Sequence, residues 1–231
     1  MSASVISRRT NNAPSLPGPR PVGRWLFAAV LVAGATLQQV EEAIEPPFAT
    51  DAERFAWIAD HTTHHAVNIA IGLAAVPLLI ASVLLLGRLA WRMPRLARVG
   101  MSFCVVGFCG LAAVHGFEAA ELAFLDAGLS AETVTGAVAH VQPAVAIPLL
   151  AMFLGAVTVG LPMLLVALWR SRAVPRGAIL VTFAFMLLDF AGPEMPFPAH
   201  ALSFVAFTWM AGAIAFGRRP ALEDRSADDP A

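Results

Sequence analysis

The chain has no lysine and little charge of any kind. Asp, Glu, Lys and Arg together make up 13% of its 231 residues, where a soluble domain would carry about a quarter. A surface so poor in charge excludes an ordinary water-soluble globule. Cysteine is almost absent too, with Cys104 and Cys109 alone. At about 100° per residue the two point in different directions on a helix, which excludes a Cys-x-x-Cys redox pair and implies no disulfide. They read as two small apolar side chains. Also missing are a glycine-rich phosphate loop, a Gly-x-Ser-x-Gly elbow and a Cys-x-x-Cys-His haem attachment. No basic face suited to nucleic acid is present, so no nucleic-acid partner is expected.

What is there is apolar sequence, 58% of the chain, with a mean hydropathy of +0.72. It comes in charge-free runs: 16 residues between Arg24 and Glu41, 22 between His65 and Arg88, and 19 between Arg98 and Glu118. Three more follow, with 37 residues between Glu132 and Arg170, 12 between Arg176 and Asp189, and 23 between Glu194 and Arg218. A spanning helix needs about 20 apolar residues. The runs predict an all-α fold, a polytopic membrane bundle of six transmembrane helices near 24–43, 65–87, 99–121, 139–169, 177–191 and 200–217. The fourth is over-long and contains Pro143, Pro148 and Pro162, which predicts a kink or a first turn outside the membrane. Residues 1–20 and 220–231 read as disordered tails around a single membrane domain, 21–219. "QQVEE" follows the first apolar run where a cleavage site would need small residues, so no cleavable leader is expected.

Arginine orients the bundle. All 15 basic residues are arginine, and 14 of them fall in the N-terminal tail, the second loop, the fourth loop and the C-terminal tail. Arg54 alone lies on the other side. Cytoplasmic loops collect basic residues, so both termini are expected in the cytoplasm. The acids show the converse bias, since 12 of the 16 lie on or near the non-cytoplasmic side.

The six helices form three hairpins, and each crosses over on that outer side. Every outgoing helix ends in acids and every returning one begins with histidine. The first hairpin has Glu41 and Glu42, then His61, His64 and His65; the second has His115, Glu118 and Glu121, then His140; the third has Asp189 and Glu194, then His200. Gln38, Glu41, Glu42 and Glu45 share one helical face, as do His61, His64, His65 and Asn68. Polar stripes at the end of a membrane helix turn inward, because exposure to lipid costs several kcal/mol. With a rise of about 1.5 Å per residue, Glu41 and His115 come to lie just inside the outer boundary of a hydrocarbon core of about 30 Å.

Imidazole with carboxylate is the donor set of zinc, iron and copper sites. The candidate ligands of such a divalent metal are Glu41, His61, His64, His65, His115, Glu118 and His140, with Glu42 and Asp189 as the candidate catalytic groups. A metal there would activate water or carry out redox chemistry on a lipid or another membrane-associated substrate. Two other classes compete: a metal-ion or proton transporter, and a non-catalytic assembly subunit. "LAAVPLLIASVLLL" and "LVTFAFMLL" leave the inner halves of the helices apolar, which favours a one-sided site over a path through the bundle.

The run Leu37-Gln38-Gln39-Val40-Glu41-Glu42, followed by prolines, resembles the signature of the HXXEE-domain family of bacterial membrane proteins. Gln38 stands where that signature has histidine. A second copy, His115-Gly-Phe-Glu118-Ala119, keeps the histidine and loses the second glutamate. The resemblance implies a multi-pass protein of the bacterial plasma membrane, in a family taken to be enzymatic without an established reaction. It also implies roles for Glu41, Glu42, His115 and Glu118.

Overall fold

In the computed structural model, which describes residues 21–191 and 200–217, the chain forms eight α-helices. These are α1 (Pro21–Ile44), α2 (Asp51–Asp60), α3 (Thr62–Leu89), α4 (Pro94–Asp126), α5 (Ala131–Val141), α6 (Ala146–Ser171), α7 (Arg176–Ala191) and α8 (His200–Phe216). No strand occurs among the described residues. The two expected tails and Glu194 lie outside them. Three helices, α3, α4 and α6, are long and apolar enough to cross a membrane, and α8 is a shorter apolar helix. Their outward side chains are apolar as well: Ile147, Leu150, Val159 and Val166 on α6 are all exposed. A helix that is apolar on every face suits lipid, not water.

The six longer helices form a ring. α6 packs on α4, α4 on α3, α3 on α1, α1 on α8, α8 on α7, and α7 returns to α6. Tightest is the α4–α6 seam, built on glycine. A methyl group placed on Gly100 would meet the Gly160 carbonyl oxygen at 2.8 Å, and one on Gly160 would meet the Gly100 carbonyl oxygen at 2.7 Å. Small residues let helix backbones approach this closely where lipid offers no hydrophobic drive to associate. Around the seam the core is continuous, with Leu31, Leu86, Cys104, Leu164, Leu168, Ile179 and Met210 all fully buried.

Two short helices depart from the expected pattern. The fourth span was expected to start near 139, but the chain turns through 142–145 and α6 begins at Ala146. Pro143 lies in that turn, and without an amide hydrogen it cannot continue a helix. What precedes it is the separate helix α5. The stretch between the first two long helices, expected as a loop, contains α2. Thr50 caps α2 by accepting from the Glu53 amide at 3.2 Å, while the Glu53 carboxylate accepts from the Ala49 amide at 3.1 Å. This reciprocal use of free amides is a capping-box device. α2 and α5 bury Phe55, Ile58, Val134 and Val138 against Leu125 of α4, making a small second core at this end of the bundle.

Candidate functional site

Each of the six longer helices contributes to one internal cavity of about 240 Å³. Its body is apolar, with Leu79 and Val83 of α3, Phe108 of α4, Val157 and Leu161 of α6, and Phe207 of α8. Polar groups gather at one end: Gln38, Glu41 and Glu42 of α1, Asp189 of α7 and His200 of α8. Glu41 and Glu42 also line a second, more open hollow of about 590 Å³ with Glu45, Pro46, Pro47 and Asn68. The two carboxylates therefore stand between an outer vestibule and the internal cavity.

His115 is the centre of the site. It is buried on α4, with Nδ1 3.0 Å from Glu118 Oε2 one turn along the same helix. Its Nε2 is 3.3 Å from Glu41 Oε1, within ion-pair reach though off hydrogen-bond geometry. A neutral imidazole carries one N–H. That one N–H, placed on Nδ1, satisfies the bond to Glu118, and Nε2 then faces the Glu41 carboxylate without a hydrogen bond of its own. Gly72 of α3 makes the arrangement possible. A Cβ there would lie 2.6 Å from His115 Nε2 and 2.9 Å from Glu41 Oε1.

Next to this triad is a second cluster, around Arg54. The half-buried guanidinium reaches Glu121 Oε2 at 3.1 Å, Glu45 Oε1 at 3.4 Å and Glu118 Oε1 at 3.5 Å. Burial opposes the charge on Arg54, but Glu121, Glu118 and Glu45 outweigh it and hold the group above its ordinary pKa. Asn68 donates to Glu45 at 3.1 Å, and His65, fully buried, has Nδ1 3.8 Å from the same carboxylate. Sequence reading set Arg54 aside as the lone basic residue on the acidic side. That isolation was the available signal, since a single cation among a dozen acids is a natural counter-ion.

The expected site residues separate into three groups. Glu41, His65, His115 and Glu118 meet in the two linked clusters, together with Glu45, Arg54 and Glu121. Glu42 and Asp189 meet elsewhere: His200 Nδ1 lies 3.7 Å from Glu42 Oε2 and 3.8 Å from Asp189 Oδ1, beside the cavity. The adjacent glutamates thus serve different partners, Glu41 in one cluster and Glu42 in the other. His61, His64 and His140 stay at the surface. His61 stacks on Trp57 with ring centroids 4.7 Å apart, and His64 donates to the Ile44 carbonyl at 3.2 Å. His140 is exposed in the last turn of α5. Among the described residues no three His, Cys, Asp or Glu side chains form a group that could hold a metal ion. Cys104 is buried and Cys109 exposed, both free.

The fold and site define an all-α protein of membrane-helix character with a one-ended polar cavity. Comparison with protein-family models, with curated proteins and with solved structures finds no match to the chain.

Proposed function

We propose that this is a six-span, multi-pass protein of a bacterial plasma membrane, with both termini cytoplasmic, and that it acts as an enzyme on an amphipathic membrane substrate. In this reading the substrate's apolar part occupies the internal cavity and its head group lies against Glu41, Glu42, Asp189 and His200. Glu41, backed by His115 and Glu118, delivers or removes a proton there. The observation that supports it best is the position of Glu41, which lines both the outer vestibule and the cavity while touching His115. A proton from outside can reach the head group through that residue.

Two features favour acid–base chemistry over ligation of zinc, iron or copper. Both nitrogens of His115 already face carboxylates, and a guanidinium, not a cation-sized gap, occupies the middle of the Glu45, Glu118 and Glu121 cluster. Transport is disfavoured by the cavity's apolar inner wall. Its one hydroxyl, that of Ser82, is satisfied by the Leu78 carbonyl at 2.7 Å.

The test is native mass spectrometry and metal analysis of the full chain purified in native-lipid nanodiscs. Wild type should retain an amphiphile that Val83→Trp, which fills the cavity, loses, and neither should contain stoichiometric metal. Stoichiometric zinc, iron or copper that disappears in both His65→Ala and His115→Ala would overturn the acid–base reading in favour of a metal centre.

A further inference from the structure

At the end of the bundle opposite the site, the α3–α4 and α6–α7 connections border an open hollow of about 360 Å³ lined by Arg92, Arg170, Arg172, Arg176 and Trp169. The two connections are tied together, because the Arg92 amide donates to Ser171 Oγ at 3.2 Å. Two of the guanidiniums are held by ring faces: Arg92 lies 5.0 Å from the Trp91 ring centroid and Arg176 lies 5.1 Å from that of Trp169. Arg172 has left-handed backbone (φ 52) where α6 ends, a position that helix ends ordinarily give to glycine. Every Arg–carboxylate pair within 4.0 Å among the described residues belongs to Arg54. Four cations therefore converge on one concavity with no carboxylate beside them.

From this convergence we infer a binding site for the phosphate group of an anionic phospholipid. Setting the orientation of a membrane chain requires basic residues at one end but does not require them to converge. Arg88, Arg95 and Arg98 supply basic charge at the same end without lining the hollow. Guanidinium is the side chain whose fork matches phosphate oxygens. A lipid is favoured over free phosphate as the source because Trp91, 67% exposed, stands beside the hollow as an interfacial anchor would. Basic pockets between helices on the cytoplasmic side are suited to such head groups.

The test uses the full chain in nanodiscs that contain phosphatidylcholine with a minor share of phosphatidylglycerol, with retained lipid read by native mass spectrometry. Wild type should retain phosphatidylglycerol selectively. Arg92→Ala and Arg172→Gly should each weaken retention about tenfold, the size expected for loss of one charged hydrogen bond to a phosphate oxygen. Arg95→Ala, which lies outside the hollow, should leave it unchanged. Arg172→Gly suits the left-handed backbone, so its melting temperature in pure phosphatidylcholine should match or exceed that of wild type, which separates loss of binding from loss of fold. Equal loss in Arg95→Ala, or no preference for the anionic lipid, overturns the inference. Displacement of the lipid by millimolar inorganic phosphate overturns the lipid assignment and reassigns the hollow to a soluble phosphate.

Discussion

Glu45, Glu118 and Glu121 close around a guanidinium, whereas Glu42 and Asp189, at the same end of the bundle, face an imidazole and a cavity. Arg54 reaches the first cluster from α2, and α2 is fixed in turn by its apolar contacts with α5 and α4. That cluster gathers three carboxylates on one fixed cation and is capped by α2. The second has neither: Glu42 is largely exposed, and the contacts from His200 are longer than hydrogen bonds. Carboxylates bound to a fixed cation hold helices together, and carboxylates beside an apolar cavity are available to a ligand. Glu118 belongs to the arginine-held cluster, yet it also holds His115, which touches Glu41 at the cavity. The triad is the bridge between a structural half and a reactive half.

The sharpest way to break this contrast is to remove the cation. Arg54→Met keeps the aliphatic stem but leaves three carboxylates clustered without a counter-charge, and breaking a buried pair of this kind costs about 3 kcal/mol. The melting temperature in detergent should fall accordingly, and protease should cut between α2 and α3 first. An unchanged melting temperature would mean that the cluster is not structural. Gly72→Ala comes next. The added methyl must displace His115 or Glu41, and overpacking at a filled contact costs about 2 kcal/mol. The loss should be smaller than for Arg54→Met, but the retained amphiphile should go with it, because the triad and the cavity mouth move together. His61→Ala should cost about 1 kcal/mol, the scale of one aromatic contact with one exposed hydrogen bond, since His61 stacks on Trp57 at the surface and donates from Nδ1 to its carbonyl at 2.9 Å.

Much of this arrangement can be read from residue order, and the exceptions have physical causes. Charge-free runs located the six longer helices, though α6 starts at 146 and not at 139 and α4 runs beyond 99–121 at both ends, because the need for apolar length is a strong, local signal. The i, i+3, i+4 spacing of Glu41 on α1 with Glu45 just past its end, and of His65 and Asn68 on α3, anticipated that these groups turn inward together. It could not say which histidine of a stripe is buried. His61, His64 and His65 differ only in their angle about the axis, and neighbouring helices decide that angle. α2 was missed because ten residues of alternating charge and apolar character resemble a loop, yet Thr50-Asp51-Ala52-Glu53 followed by Phe55 and Ile58 spells a capping box with an apolar stripe. Residue order places His140 at the start of a fourth helix expected to kink or to begin outside the membrane, and the chain breaks at the turn 142–145 that contains Pro143. Gly72 looked like any helical glycine, since the side chains it makes room for come from two other helices.

The smallest expected effect completes the contrast. Glu42→Gln combined with Asp189→Asn removes two negative charges from the cavity end, as Arg54→Met removes one positive charge from its neighbour. If the clusters were equivalent, the double variant would unfold the bundle at least as readily. The structure argues otherwise. The Glu42 side chain is 55% exposed, and exposed ion pairs contribute at most about 1 kcal/mol, often nothing measurable. Whatever His200 loses as a partner is offset by the relief of two carboxylates held close to one another. Stability should therefore stay within about 0.5 kcal/mol of wild type, measured by chemical unfolding in the same detergent, while retention of the amphiphile falls. A double variant as unstable as Arg54→Met would move Glu42 and Asp189 into the structural class and leave Glu41 as the cavity's only reactive carboxylate.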